Sequence, residues 1–311
     1  MGAMLGHGQS IPPVFTPLRL LTGWSIEPIP LALTVAAGLV YWFGLRRLRA
    51  AGTGPAWPHG RVWAWYGGLA VALVAIASPV DTYANASFST HMMQHVLLMF
   101  VAAPLFALGA PITLALRASR PATRKRFLLP VLHSRAVKLL THPIVALSVF
   151  VVAQYATHLT GFYNAALSST PVHDLEHALY LAAALLFWWP IVGLDPAPRK
   201  LSYPARILYL VAVMPLEAFL AVAILSGEPY QHYLQLPPPW GGAHAVADVS
   251  QAASFMWIAG DLATLIAALL VTGAWLRHDT IRQRRIEADE DRRAALAAAP
   301  QGAAPASAEG S

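Results

Sequence analysis

Seven long apolar stretches restrict what this 311-residue chain can fold into. A helix needs about 20 mostly apolar residues to cross a hydrocarbon core of roughly 30 Å. Five of the stretches contain no Lys, Arg, Asp or Glu, and the other two contain one carboxylate each, Glu217 and Asp261. In chain order the stretches cover residues 28–45, 62–80, 91–116, 139–158, 177–194, 207–225 and 249–276. The sequence therefore predicts an all-α, polytopic integral membrane protein with seven transmembrane helices in a single domain, residues 28–276.

The composition excludes several other classes of protein. Only 12% of the residues are charged, against roughly 25% in an average soluble chain. The apolar residues fall in long blocks, which argues against intrinsic disorder and against a collagen-like repeat. The chain has no Cys, so disulfide scaffolds, Cys-ligated zinc and iron–sulfur clusters are excluded. Any bound metal must be held by His, Met or carboxylate side chains.

The positive charges predict how the chain is oriented in the membrane. When seven spans alternate in direction, every Lys and Arg except Arg19 falls on one side, and that side is expected to be cytoplasmic. Residues 1–27 then form an extracytoplasmic segment, and residues 277–311 form a cytoplasmic tail that is charged, helical at first (282–293) and disordered at its end. The net charge of +6 is explained by this distribution, so we expect no nucleic acid partner.

Tryptophans near the predicted cytoplasmic ends of spans fit an interfacial belt: Trp63, Trp65, Trp188, Trp189 and Trp275.

Histidine spacing indicates a candidate metal site. His91 and His95, and likewise His173 and His177, are four residues apart, which places both imidazoles of each pair on one helix face. Twelve randomly placed histidines would give roughly 0.5 such pairs. Methionines accompany the first pair, and the combination of imidazole and thioether suits copper. The candidate ligands, all expected near the outer surface, are His91, His95, His158, His173, His177, Met92, Met99 and Met256.

Other interpretations of the same residues stay open at this point. Histidines near lipid headgroups are stable without metal, and buried methionines are more often packing residues. Asp174 and Glu176 could orient the imidazoles, or Glu176 could be the general base of an H-x-x-E-H metallopeptidase. The intramembrane acids Glu217 and Asp261 could line a proton or cation path of a transporter, or could be neutral hydrogen-bonded groups between helices. Histidines from two helices could also bind haem or a quinone.

An ordered set of short strings resembles the CtaG-type cytochrome c oxidase assembly factors. The strings lie between about residues 30 and 276, and they are Ser78-Pro-Val-Asp81, Phe88-Ser-Thr-His91-Met-Met-Gln-His95, Pro104-Leu-Phe-Ala-Leu-Gly-Ala-Pro111, His173 to His177, Trp188-Trp-Pro-Ile-Val-Gly-Leu-Asp195, Met214-Pro215, Asp248 and Trp257-Ile-Ala-Gly260-Asp261. The chain departs from the family pattern at Val249, Ala252, Ala253 and Glu217, the last standing where many relatives have His.

The resemblance implies a function in the biogenesis of haem–copper oxidases. It implies a multi-pass, non-enzymatic protein of the bacterial cytoplasmic (inner) membrane that holds or passes copper. The expected partners are an oxidase subunit or another copper chaperone. His91, His95, His173 and His177 are the first candidates for the copper ligands. The oligomeric state is left open by the sequence.

Overall fold

A computed structural model describes residues 11–25, 27–52, 54–228 and 230–298, and within these ranges the chain forms helices and no strand. We number the principal helices in chain order. They are α1 (Pro28–Ala51), α2 (His59–Ala77), α3 (Phe88–Ala118), α4 (Pro143–Leu159), α5 (Phe162–Ser168), α6 (Thr170–Val192), α7 (Tyr203–Ser226) and α8 (Ala243–Ala298). Short helical segments connect them, among them Pro79–Ala84 between α2 and α3 and Gln231–Leu234 between α7 and α8.

Six of these helices are long and apolar enough to cross a membrane, and α4 with α5 makes a seventh span if that bent pair is counted as one. The two helices of the pair meet at 70°. The 17 residues of α4 reach about 25 Å at 1.5 Å per residue, which is the lower limit for a span. The prediction of an all-α polytopic membrane protein is therefore confirmed, whereas the direction of its termini stays a prediction.

Proline and glycine set several of the helix boundaries. Pro28, Pro143 and Pro171 lie in the first turns of α1, α4 and α6, where a missing N–H costs nothing. Gly52 and Gly193 follow α1 and α6 with φ of 59° and 63°, the left-handed conformation that ends many helices. The fifth span begins at Thr170 instead of at the predicted residue 177, so both of its histidines lie inside the helix.

The third span is irregular directly after its histidines. Leu97–Ala102 form a π-helical segment, in which the N–H of Ala103 bonds to the carbonyl of Leu98. Pro104 has no N–H to offer the preceding turn and would clash with a carbonyl of a regular α-helix. The carbonyl of Met99 instead accepts a hydrogen bond of 2.8 Å from the indole Nε1 of Trp188 in α6. Trp188 is therefore a buried packing residue, and its prediction as an interfacial side chain is wrong.

The last helix is longer than the sequence suggests. With 56 residues, α8 is about 84 Å long at 1.5 Å per residue, so it extends well beyond the predicted end of the span at residue 276. The tail prediction placed helix only at 282–293 before a disordered end, whereas residues 277–298 continue α8 without a break. The remainder of the predicted tail, 299–311, and residues 1–10 of the predicted N-terminal segment lie outside the described residues.

The core contains several apolar clusters, and two of them pack around the spans that carry the histidines. One contains aromatic side chains of α3, α4, α6 and α7, including Phe150, Phe187 and Trp188. The other contains residues of α3, α5, α7 and α8, including Phe88, Met92 and Tyr163. The second cluster lies at the end of the bundle where α3 and α6 begin. We call this end the histidine end and the opposite one the arginine end.

Candidate metal centre

Two rows of histidines face each other at the histidine end. Helices α3 and α6 both begin there and pack side by side, so their rows run in the same direction. The ring centroids of His91 and His173 are 5.5 Å apart, and those of His95 and His177 are 6.1 Å apart. Within each row the centroids are 4.3 Å apart, as the four-residue spacing requires. The structure thus brings the two sequence pairs into one cluster.

The side chain of Glu176 belongs to this cluster. Its Oε2 is 3.7 Å from Nε2 of His91. Ligand atoms of His91, His173 and Glu176 lie within 4.8 Å of one another, and so do those of His173, Asp174 and His177. The sequence alone indicates only an orienting or a catalytic role for Glu176. Its position beside His91 makes it a candidate ligand.

Several polar atoms of the cluster are buried and have no hydrogen bond among the described residues. His91 and Glu176 are 0% exposed. Seven of these atoms have no hydrogen-bond partner within the described part of the chain. They are both ring nitrogens of His91 and of His95, both carboxylate oxygens of Glu176, and Nε2 of His177. Leaving a buried polar group unsatisfied costs about 1–3 kcal/mol, and folded proteins rarely leave several together. A bound cation would satisfy nitrogen lone pairs and a carboxylate at the same time.

A capping interaction fixes the start of α3. The Oδ2 of Asp248, in α8, accepts a hydrogen bond of 2.6 Å from the backbone N–H of Phe88, and its carboxylate also accepts from the N–H of Ser89. The hydroxyl of Ser87 donates to Asp248 at 3.2 Å and accepts from the N–H of Thr90. The first N–H groups of a helix have no partner within the helix and carry partial positive charge, so a carboxylate there is stabilising. Asp248 therefore fixes the turn that carries His91 to a second span.

A hydrogen-bonded chain outside the cluster fixes the rotation of α3. The amide Nε2 of Gln94, between the two histidines, donates to the carbonyl of Ala75 at 2.9 Å and to Asp81 at 2.8 Å. The hydroxyl of Ser25 donates to the other oxygen of Asp81 at 2.9 Å. Burial raises the pKa of Asp81 to about 6, and the negative charge of Glu27 adds to the increase. These contacts hold Gln94 on the α2 side, so His91 and His95 face α6.

A third helix, α4, contributes His158 to the cluster. Its ring centroid is 5.9 Å from that of His95. Its Nδ1 is 2.8 Å from the carbonyl oxygen of Gln154, which can only accept, so the Nδ1 carries the proton and donates. Two predicted methionine ligands, Met99 and Met256, line a small cavity with His95 and His158. The third, Met92, lies in the apolar cluster around Phe88.

The two intramembrane acids are bonded to separate partners. Oε1 of Glu217 accepts a hydrogen bond of 2.7 Å from Nε2 of Gln154, the residue whose carbonyl orients His158. Oδ2 of Asp261 accepts one of 2.7 Å from Nε1 of Trp257, one helical turn earlier in α8. Of the open interpretations, these contacts favour hydrogen-bonded acids over a shared path. Gln154, which links Glu217 to His158, carries no signal in the sequence.

A lateral groove reaches the cluster. It has a volume of about 570 Å³ and is lined by α1, α2, α3 and α6. Its middle is apolar, while its histidine end is lined by His173 and His177 together with Glu27, Asp81 and Asp174. Carboxylates along a low-dielectric groove raise the local concentration of cations. Glu176 itself is fully buried behind these residues, which disfavours the metallopeptidase interpretation because a peptide and a water would have to reach it.

Comparison with known proteins assigns a family. A family model described as cytochrome c oxidase caa3 assembly factor matches residues 39–278. The chain is 33% identical over 298 residues to uncharacterized proteins of Mycobacterium bovis and Mycobacterium tuberculosis, and 32% identical over 300 residues to one of Mycobacterium leprae. These alignments cover 92% or 93% of this chain and 44% of each relative, so the chain spans less than half the length of the curated relatives it matches. No solved structure matches it.

Proposed function

Because this chain belongs to the family of cytochrome c oxidase caa3 assembly factors, we propose that it serves oxidase assembly by holding copper at the histidine end and passing it to an oxidase subunit. The single observation that carries the copper part is the meeting of His91, His173 and Glu176, from two spans, with buried ligand atoms. We write copper as cargo, which the chain binds and releases.

The donor set supports copper over other cations. Imidazole nitrogens bind copper and zinc well, whereas calcium and magnesium prefer sites made only of oxygen. Thioethers beside the imidazoles favour copper further. Several imidazoles within about 6 Å of one another would let the ion exchange one ligand for the next, which suits a protein that must give up its cargo.

The groove offers the exit for transfer. His173 and His177 line it, whereas His91 is enclosed. A ligand-bearing loop of an oxidase subunit, or of a second copper chaperone, would therefore meet the α6 histidines first. In this scheme the acids at the groove entrance attract the cation, and the histidines bind it.

A genetic experiment tests the assembly function and the copper function together. The gene is deleted, and oxidase activity is measured in membranes of cells grown with and without added copper. We expect the deletion to lower oxidase activity, excess copper to restore part of it, and the intact gene to restore all of it. The double variant His91→Ala, His173→Ala is expected to behave as the deletion.

The matched control is His133→Ala, which removes an exposed histidine at the arginine end and is expected to complement fully. The copper proposal is contradicted if the double variant is present in membranes at the normal level and restores oxidase activity as well as the wild type does. A deletion without any oxidase defect would contradict the assembly function itself in this organism.

A further inference from the structure

A small cavity lies on the side of His95 that faces α4 and α8. Its donor-bearing lining residues are His95, Met99, His158 and Met256, with Gln154 and Tyr180 beside them. Its volume of about 10 Å³ is that of a single water or ion. All four donor residues are at most 5% exposed. A cavity of this size, surrounded by two imidazoles and two thioethers, is built for one small ligand.

His158 lines this cavity, and its protonation leaves one ring nitrogen with a free lone pair. Because Nδ1 donates its proton to the carbonyl of Gln154, Nε2 of the neutral ring carries the lone pair. Nε2 is buried and forms no hydrogen bond within the described residues. A histidine that donates one ring N–H to a carbonyl while the other nitrogen is unprotonated has the usual arrangement of a metal ligand.

His95 lies between this cavity and the cluster at the groove. Its ring centroid is 4.3 Å from that of His91 and 5.9 Å from that of His158. Both of its nitrogens are buried without a hydrogen bond in the described chain. An imidazole has one ligand nitrogen at a time when neutral, so His95 can bind an ion on either side of it in turn.

The donors of the cavity differ in kind from those at the groove. The groove cluster includes the carboxylates of Glu176 and Asp174, which stabilise a divalent as well as a monovalent ion. The cavity offers neutral nitrogen and thioether sulfur. Soft, neutral donors select Cu(I), and a buried divalent ion held only by neutral ligands would carry a larger desolvation penalty than a monovalent one.

We propose that the cavity formed by His95, His158, Met99 and Met256 is a second copper site, selective for Cu(I), which exchanges its ion with the groove cluster through His95. This inference rests on the proposed function and adds to it a storage position that the groove does not reach. The ion remains Cu(I) during the exchange, so only ligands change and no electron is transferred.

The test is a copper titration of the full chain purified in detergent without oxygen, with Cu(I) supplied as its acetonitrile complex and a Cu(I) chelator as competitor. X-ray absorption of the loaded protein reports sulfur ligands. We expect about two Cu(I) per chain with a sulfur contribution. The double variant Met99→Leu, Met256→Leu is expected to bind about one, with nitrogen and oxygen ligands only.

Met92→Leu is the matched control, because Met92 is on the same helix as Met99 but does not line the cavity. It is expected to keep both copper ions and the sulfur contribution. Met-to-Leu changes conserve volume and are well tolerated, and gel filtration and helical circular dichroism check the fold. If the double variant does not fold, Met256→Leu alone is titrated, with an expected loss of at least about tenfold in affinity at one site.

The outcomes separate this inference from the proposed function. The wild type could bind a single copper ion without sulfur ligands, and His91→Ala, His173→Ala could abolish that binding. This result would overturn the second site and leave the proposed function intact. A double methionine variant identical to the wild type would also overturn it. A wild-type protein that binds no Cu(I) would overturn both.

Discussion

At the residue scale, one missing N–H explains the position of a tryptophan. Pro104 cannot donate to the carbonyl of Met99, and this carbonyl is buried in the third span. The indole of Trp188 supplies the missing donor. In hydrocarbon an unsatisfied carbonyl is costly. The indole of α6 therefore compensates for the N–H that the proline of α3 lacks. The pair also ties the π-helical segment after His95 to α6.

Substitution of Trp188 tests this pairing. We expect Trp188→Phe to lower the free energy of unfolding by about 1–3 kcal/mol, because the carbonyl of Met99 loses its donor. The measurement is denaturant-induced unfolding in detergent, followed by circular dichroism. Trp189→Phe is the matched control, since Nε1 of Trp189 has no hydrogen-bond partner among the described residues. Equal losses in the two variants would contradict a special role for the Trp188 hydrogen bond.

Asp81 gives a prediction about pH. Burial raises its pKa from 3.8 to about 6 in the folded chain, so between these values the folded state holds a proton that the unfolded state has lost. The resulting stabilisation is complete below about pH 4 and is lost as the pH rises through 6. We expect the free energy of unfolding of the wild type, relative to Asp81→Asn, to fall by up to about 3 kcal/mol between pH 4 and pH 7.

The measurement is unfolding of both proteins at a series of pH values in one detergent. Asn can accept from Gln94 and donate to Ser25, so the variant keeps the local hydrogen bonds while removing the titrating group. Parallel pH profiles of the two proteins would show that Asp81 does not titrate in this interval.

Some site residues could be predicted because their signal is local. The four-residue spacing places two imidazoles on one helix face whatever the surrounding fold, so the histidine rows follow from the sequence alone. Glu176 and Gln154 could not be assigned in this way. Their roles depend on which helix lies opposite, and nothing in the string around Gln154 indicates that its carbonyl orients His158.

At the scale of helices, two aspartates cap two helical segments of the third span, one at its histidine end and one at its arginine end. Asp248 accepts from the first N–H groups of α3, and Asp195 accepts from the N–H groups of Ile112 and Thr113, where the helix resumes after Ala110. Each aspartate comes from another part of the chain, so each cap is also a tertiary contact. The sequence strings containing these acids contributed to the family resemblance, although their physical role was not evident.

The two caps allow a controlled comparison. We expect Asp248→Asn and Asp195→Asn each to lower the free energy of unfolding by about 1–3 kcal/mol, because a charged acceptor at a helix start is lost. Only Asp248→Asn should weaken Cu(I) binding, since only Asp248 holds the turn that carries His91. Copper titration and unfolding of both variants make the comparison. Equal effects on copper binding would indicate a general loss of stability.

Helix existence could be predicted well and helix shape could not. Charge-free length reveals a span because burying charge in lipid is costly. The apolar pattern does not indicate the 70° bend near Gly161 or the π-helical segment before Pro104. The start of α3 depends on Ser87 and Asp248, and α6 has Pro171 in its first turn; all three residues lie outside the apolar stretches. The apolar criterion therefore begins the fifth span too late, at residue 177 instead of Thr170. It also ends the last helix too early, at residue 276 instead of Ala298.

At the scale of the whole molecule, the separation of the two ends is the main organising feature. The histidines of the cluster and the entrance of the groove share one end, while the arginines of the connecting segments lie at the other. The sequence could predict this separation, because it depends only on counting spans. The groove could not be predicted, because it results from α1 packing against α2 and the last part of α3 and from the space this leaves beside α6.

The orientation of the two ends across the membrane is simple to test, because the chain contains no Cys. Ser202 and Ser226 are exposed and flank the same helix, α7, at the arginine end and the histidine end. Because positively charged segments remain in the cytoplasm, a membrane-impermeant maleimide should label Ser226→Cys in intact cells. Ser202→Cys should be labelled only after the cells are opened. The reverse pattern would place the histidine cluster on the cytoplasmic side and would contradict the proposed delivery of copper to an outer-facing oxidase subunit.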